Sequence, residues 1–288
     1  MATFPKSGTT LMSNVCHQLR SKCAANDFEE ITEIVPWIDL VPRPASPRVA
    51  RLRARGGTGR SLARAQALDL GQDLDADQTS EPRLFKSHMN PSNVNAGCKV
   101  LLVTRDPVRV LLSYYAFAKP RGLPFMVGMD SALDLVDHPM WMQGPMASSS
   151  KRGNVWQFLV EIWFARKKAG VLVVPYEDAV KDPKTWIQKT ADFIGVDCDA
   201  ALVEDVVKHS DKQYMLDHVS QFDDHWIAQQ QAKVGRTTCR MQTASKVTQG
   251  AYDKPEGLEE KMQEKWDLIV KPVTGHATYA AMLADLSS

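Results

Sequence analysis

The chain has 288 residues, 44% of them hydrophobic and 24% charged, with a formal net charge of +1. That balance suits a globular protein able to bury a core without covalent staples, and it excludes a global field that would gather nucleic acid or a membrane surface. Any anion site must therefore be local.

The five cysteines (Cys16, Cys23, Cys98, Cys198, Cys239) are odd in number and match no zinc spacing, so they read as free thiols of a reducing compartment. The opening MATFPKSGTT lacks a basic region followed by an apolar one, and no apolar run reaches the ~18 residues of a membrane span. The expectation is a cytoplasmic chain without membrane or nucleic-acid partners, either a monomer or a homodimer.

Taken in order, Thr3 and Phe4 end a strand that is cut short at Met1. A turn at Pro5 to Gly8 leads into a helix from about Thr9, through Leu11, Val15 and Leu19. Residues 31–40 are apolar and expected to pack. Next, Arg43, Arg48, Arg51, Arg53, Arg55, Arg60 and Arg64 fall within 22 residues, and an acidic run from Asp69 to Glu81 follows. This reads as a flexible, solvated arginine-rich insertion at about 43–72 whose basic side attracts its acidic sequel. The stretch holds no aromatic residue on which a base would stack, which weighs against a nucleic-acid arm.

Regular patterning then begins. Residues 83–87 read as a short strand leading to His88, and the continuous apolar run at 99–104 reads as a buried strand. Asp106-Pro107 is a helix start, Asp as cap and Pro in the first turn, with Val110, Leu111, Tyr114 and Phe117 on one face. Residues 119–152 are loop-like. Their methionines and Trp141 form either core or an adaptable apolar wall of an acceptor pocket. A helix is expected at 154–168 and a second buried strand at 171–176. Another helix runs from Asp182-Pro183 to Gly195, and one from Asp199 turns Leu202, Val203, Val206 and Val207 inward. Strands alternating with helices predict an α/β fold: one domain over 1–288, a P-loop-like central parallel sheet flanked by helices on both faces, with ligands at the carboxyl ends of the strands.

The candidate chemistry lies at those ends. In Pro5-Lys6-Ser7-Gly8-Thr9-Thr10 a glycine lets the backbone approach an anion, and a helix N-terminus faces it. Lys6 adds a charge, but it precedes the glycine, unlike the lysine of a Walker loop. Arg105 ends the second strand, with Ser113 eight residues on, an arginine fork and a hydroxyl able to hold a second phosphate. His88 follows Lys86 in F-K-S-H.

The ordered set T-F-P-K-S-G-T-T, F-K-S-H, V-T-R-D-P with S-Y-Y, and P-Y-E-D at 175–178 resembles the cytosolic-type sulfotransferase family. The resemblance covers Thr3 to about Gly250, and the later W-D-L-I-V-K-P-V-T-G is also similar to members. It implies 3′-phosphoadenosine-5′-phosphosulfate (PAPS) as donor and a small-molecule acceptor, with no metal. Lys6, Ser7, Gly8, Thr9 and Thr10 match the loop on the 5′-phosphosulfate, and Arg105 and Ser113 the 3′-phosphate pair. His88 matches the general base, Lys86 the lysine beside it, and Tyr176 a tyrosine near adenine. Ser210, Met215 and Gly250 match segments around the nucleotide.

The chain departs from the pattern in four places, two of them the strand cut short at Met1 and the arginine-rich insertion, which has no counterpart. Leu11 stands where many members carry a tryptophan stacked on adenine, and Thr248-Gln249-Gly250 lacks the arginine of an Arg-x-Gly element, with Lys246 or Lys254 as substitutes. A nucleotide-binding pseudoenzyme is thus the alternative. A phosphoryl-transfer enzyme fits less well, since a glycine-lysine-serine loop and a magnesium aspartate are missing. His138, His209, His218 and His225 have no matching ligand set and read as structural or surface residues.

Overall fold

The computed structural model describes residues 1–24, 28–40, 74–94, 97–120, 122, 126–138, 141, 153–233 and 252–287. The arginine-rich insertion, Met140, Met142, Met146, Cys239, Lys246, Thr248, Gln249 and Gly250 lie outside them.

Among the described residues, three parallel strands form the sheet in the order β1 (Ala2–Thr3), β2 (Val100–Thr104), β3 (Val171–Pro175). Leu102 is paired with Ala2 on one side and Val173 on the other, and Thr104 with Pro175. Beyond β1, two isolated parallel bridges, Ala2 with Ser87 and Trp37 with Lys86, carry the pairing outward. Residues 83–87, expected as a strand, therefore form a frayed edge. Their backbone pairs through Thr3 N–H to Ser87 O (3.0 Å) and Lys86 N–H to Pro36 O (2.9 Å).

The helices are α1 (Thr9–Ser21), α2 (Ile31–Ile34), α3 (Pro107–Ala118), α4 (Val155–Ala165), α5 (Tyr176–Lys181), α6 (Pro183–Ile194), α7 (Ala200–Ser210), α8 (Lys212–Asp217), α9 (His225–Lys233), α10 (Leu258–Ile269), α11 (Lys271–Thr274) and α12 (Tyr279–Ser287). Their starts follow local chemistry. Asp106 accepts from Val108 and Arg109 N–H ahead of α3, and Asn154, Asp182 and Asp199 cap α4, α6 and α7 in the same way. Gly195, at φ 82°, ends α6 in the left-handed conformation. Two bounds differ from expectation: α4 stops at Ala165, short of 168, and Tyr176 opens α5 directly after β3.

Strand periodicity sorts the core into two layers. Leu102 and Val173 point to one face, where they meet Val110, Leu111, Phe158, Ile162 and Trp266. Leu101, Val103 and Val174 point to the other and pack on Val15, Leu19, Ile187 and Val206. Phe117, Leu202 and Val207 are only half-buried. A third cluster, Phe28, Ile31, Ile34, Val35, Met215 and Phe222, closes the α2–α8 corner. Among the described residues no helix is long and apolar enough to cross a membrane.

Candidate active site

All the strand ends open on one edge. After β1 the chain turns through Pro5 to Gly8, and Lys6 adopts φ 68°. A side chain held in the left-handed region costs of order 1–3 kcal/mol and persists only where surroundings impose it. Gly8 lies at φ 101°, and a Cβ there would come within 2.5 Å of Tyr176 Cδ2, so both the turn and the packing require glycine. Gly8 caps α1 without a side-chain acceptor, and the first turn of α1 has no acid. The amide groups of that turn are left for an anion.

Arg105 reaches across from the end of β2. Its Nη1 donates to the Lys6 carbonyl at 2.8 Å, and its Cζ lies 4.4 Å from the Tyr176 ring centroid. Pairing of Thr104 with Pro175 puts Arg105 and Tyr176 side by side, so Tyr176 lies between the guanidinium and Gly8. The Lys6 ammonium rests 4.6 Å over Phe117. Behind them, Glu177 accepts from the Asp106 N–H (2.8 Å) and the Tyr279 hydroxyl (3.1 Å). Burial raises the Glu177 carboxyl above the ordinary range, against the lowering effect of these bonds. Burial, with Glu177 beside it, also holds the Tyr279 hydroxyl well above its usual value. Ser113 is buried and accepts from the Tyr252 hydroxyl at 3.3 Å.

His88 stands one residue past the last bridge. Its Nδ1 lies 2.9 Å from the Thr3 carbonyl and 3.4 Å from Thr3 Oγ1, which in turn meets Thr9 Oγ1 at 2.6 Å. A carbonyl only accepts, so Nδ1 carries the proton and Nε2 presents a lone pair. Trp37 meets the imidazole edge-on at 5.0 Å. Asp39 accepts from Trp37 Nε1 (2.9 Å), Ser87 Oγ (2.7 Å) and the His88 N–H (2.7 Å). Lys86 is buried: it donates to Thr32 Oγ1 at 2.7 Å and lies 4.8 Å from the Trp37 ring centroid, and Thr32 passes a bond to Glu30. Arg20, 6% exposed, donates to Gln78 Oε1 and to the Ser80, Pro82 and Ile34 carbonyls. Burial lowers its pKa to about 10.

The fold thus gathers Lys6, Ser7, Gly8, Thr9, Thr10, His88, Arg105 and Tyr176 at one edge of the sheet. Ser210 and Met215 are turned inward: the Ser210 hydroxyl donates to Val206 O, and Met215 packs with Ile31 and Phe222. Leu11 packs against both that cluster and the α1 face. Trp141 is fully buried against Phe4 and Tyr114, as core. His225 bridges Asp223 and Glu29; burial opposes its charge, but the two carboxylates outweigh this and raise its pKa. Asp39 and Arg20 carry no mark in the sequence pattern beyond the position of Asp39 directly after the apolar Pro-Trp-Ile, and Glu177 enters only within P-Y-E-D.

Residues 1–277 match a family profile described as the sulfotransferase domain. Over 216 residues the chain is 27% identical to sulfotransferase 4A1 of Mus musculus, which is 73% of this chain and 63% of that relative. The chain thus spans less than two thirds of the length of the curated relatives it first matches. Retinol dehydratase, solved with androsterone and the inactive cofactor PAP, superposes with a TM-score of 0.60 at 16% identity, covering 94% of this chain and 78% of that one. A mouse sulfotransferase complexed with PAP gives 0.57 at 12%, covering 94% and 83%. At such identities the likeness is one of fold.

Proposed function

Because this chain belongs to the sulfotransferase family, we propose that it transfers a sulfuryl group from PAPS to a hydroxyl or amine of a small-molecule acceptor. The observation that carries this is the convergence of Lys6, the uncapped start of α1, Arg105 and His88 at the carboxyl ends of adjacent strands. When bound, the donor supplies an activated sulfuryl group. The residues present fit its anionic ends: the uncapped start of α1 offers backbone amides, and Arg105 is already oriented by the Lys6 carbonyl.

Lys6 is the charge placed to neutralise a departing phosphate, the role in which a preorganised cation accelerates most. His88, with Nδ1 held by the Thr3 carbonyl, uses Nε2 to take the acceptor proton, the general-base task for which imidazole is suited. Arg105 and Ser113 serve the 3′-phosphate and Tyr176 the adenine side. Thr9, hydrogen-bonded to Thr3, ties the anion loop to the base. Lys86, the lysine beside the base, donates to Thr32 on the edge that bears His88 and is a further catalytic candidate.

Calorimetric titration with PAP tests the donor site without knowledge of the acceptor. Binding at micromolar Kd or tighter is expected, weakened about 10- to 100-fold by Arg105→Ala, the ~1.5–3 kcal/mol of a charged hydrogen bond. With labelled PAPS and an acceptor panel, His88→Ala should abolish turnover and leave PAP binding intact. A folded wild-type chain that binds no PAP overturns the reading. Binding without turnover on any acceptor favours the pseudoenzyme, for which Leu11 is the motivating departure.

A further inference from the structure

We propose that Asp39 is the positioning residue of His88, an inference that rests on the reading of His88 as the base. Backbone pairing at this edge ends at Ser87, where the ladder is a single bridge, so no strand holds the residue that follows. Asp39 takes over there. It lies in the turn Ile38–Leu40, placed by the Ile38 N–H on the Lys86 carbonyl at 3.1 Å. Its Oδ2 receives both the His88 N–H (2.7 Å) and the Trp37 indole N–H (2.9 Å), and its Oδ1 the Ser87 hydroxyl (2.7 Å). The Ser87 oxygen in turn accepts the Met89 N–H at 2.9 Å, so the backbone is gripped on both sides of His88.

The consequence reaches the ring. One carboxylate sets the His88 backbone and also orients the indole whose edge meets the imidazole at 5.0 Å and 85°. On the opposite side the Thr3 carbonyl holds Nδ1. The imidazole is therefore fixed between a carbonyl on β1 and an indole set by Asp39, and its protonation pattern depends on both staying in place. A carboxylate is required because three donors converge on two oxygens. An asparagine offers one acceptor oxygen and turns two donors toward groups that are themselves donors. Displacing a proton-transfer group by about 1 Å is enough to cost ~10²-fold in rate.

The test uses the full chain labelled with 15N-histidine, with the His88 signals assigned through His88→Asn. Long-range 1H–15N correlation should show His88 of the wild type as the Nδ1–H tautomer. In Asp39→Asn it should shift toward the Nε2–H form preferred by free imidazole, with PAP affinity within about 3-fold. On an active acceptor, kcat should fall about 10- to 100-fold with donor KM unchanged, and Asp39→Glu should recover part of it. An unchanged tautomer in folded Asp39→Asn overturns the proposal. If that variant does not fold, Trp37→Phe and Ser87→Ala each remove one donor, and each should move the His88 signals part of the way; no movement in either overturns it as well. A tautomer that depends on Asp39 in a chain showing no turnover upholds the positioning role and sinks the sulfotransfer reading instead, so the two failures separate.

Discussion

The proposed donor side of the site is held by continuous secondary structure, whereas the proposed base side is held by side chains. Arg105 and Tyr176 each follow a strand of five residues, and those strands are paired along their whole length. His88 follows a segment joined to the sheet by single bridges and fastened by Asp39, Thr32 and Arg20. On the proposed reading, nucleotide recognition draws on the continuously paired strands, and base placement on a few polar contacts among segments far apart in sequence. The edge is accordingly the part that point substitutions can loosen without dissolving the sheet.

The sharpest way to break this contrast is Arg20→Met. It leaves the Ser80, Pro82 and Ile34 carbonyls without their guanidinium donor, and a buried acceptor left unsatisfied costs about 1–3 kcal/mol. Chemical unfolding measures it; a loss below about 1 kcal/mol would mean that the bridges alone hold the edge.

Gly8→Ala strikes the donor side instead. The added methyl meets Tyr176 at 2.5 Å in a left-handed backbone, so the Arg105–Tyr176 pair must shift. PAP affinity should fall about 10- to 100-fold, or ~1.4–2.8 kcal/mol by titration, with a smaller stability loss than that of Arg20→Met. Wild-type affinity in this variant would show that the close approach of Gly8 to Tyr176 does not matter for the nucleotide.

Glu177→Gln has the smallest effect and concerns pH. The fold raises the Glu177 pKa, so the native state holds this proton more tightly than the unfolded chain. The contribution of Glu177 to stability is therefore fully present below the ordinary value of 4.5 and is lost as pH rises from there through the raised native value. In Glu177→Gln that loss should flatten, as read from unfolding midpoints across the series. An identical pH profile in the variant would remove Glu177 as its source.

What the sequence disclosed follows the same division. Strands 100–104 and 171–175 and the capped starts at Asp106, Asp182 and Asp199 were legible because an apolar run or a cap acts within a few residues. The anion loop was legible because glycine, lysine and hydroxyl residues are adjacent in sequence. Asp39 was not, since its partners Ser87 and His88 lie 48 and 49 positions on, and an aspartate after Trp-Ile carries no periodic mark. Residues 83–87 look like a strand because their composition is that of one; they pair only at Lys86 and Ser87. Tyr176 was placed on the strand because Pro-Tyr-Glu-Asp continues its apolar run, yet the backbone turns helical directly after Pro175. Met215, expected beside the nucleotide, is buried, and Trp141, read as either core or pocket wall, lies in the core, a distinction that depends on which neighbours cover a large apolar side chain.

The bond from Tyr279 to Glu177 has a consequence for the order in which the site comes into being. It joins residues 102 apart, the Arg105–Lys6 bond joins residues 99 apart, and the His88–Thr3 bond 85. A ribosome makes the anion loop first, but the loop must wait for β2 to supply its arginine, and Glu177 must wait for α12 to supply its phenol. Loops closed over such separations form slowly, since their entropy is lost before their contacts are gained. The earliest part of the site to be synthesised thus waits for a later strand, and a nascent chain lacking α12 would carry the Glu177 carboxyl without the Tyr279 hydroxyl that it accepts from in the finished fold.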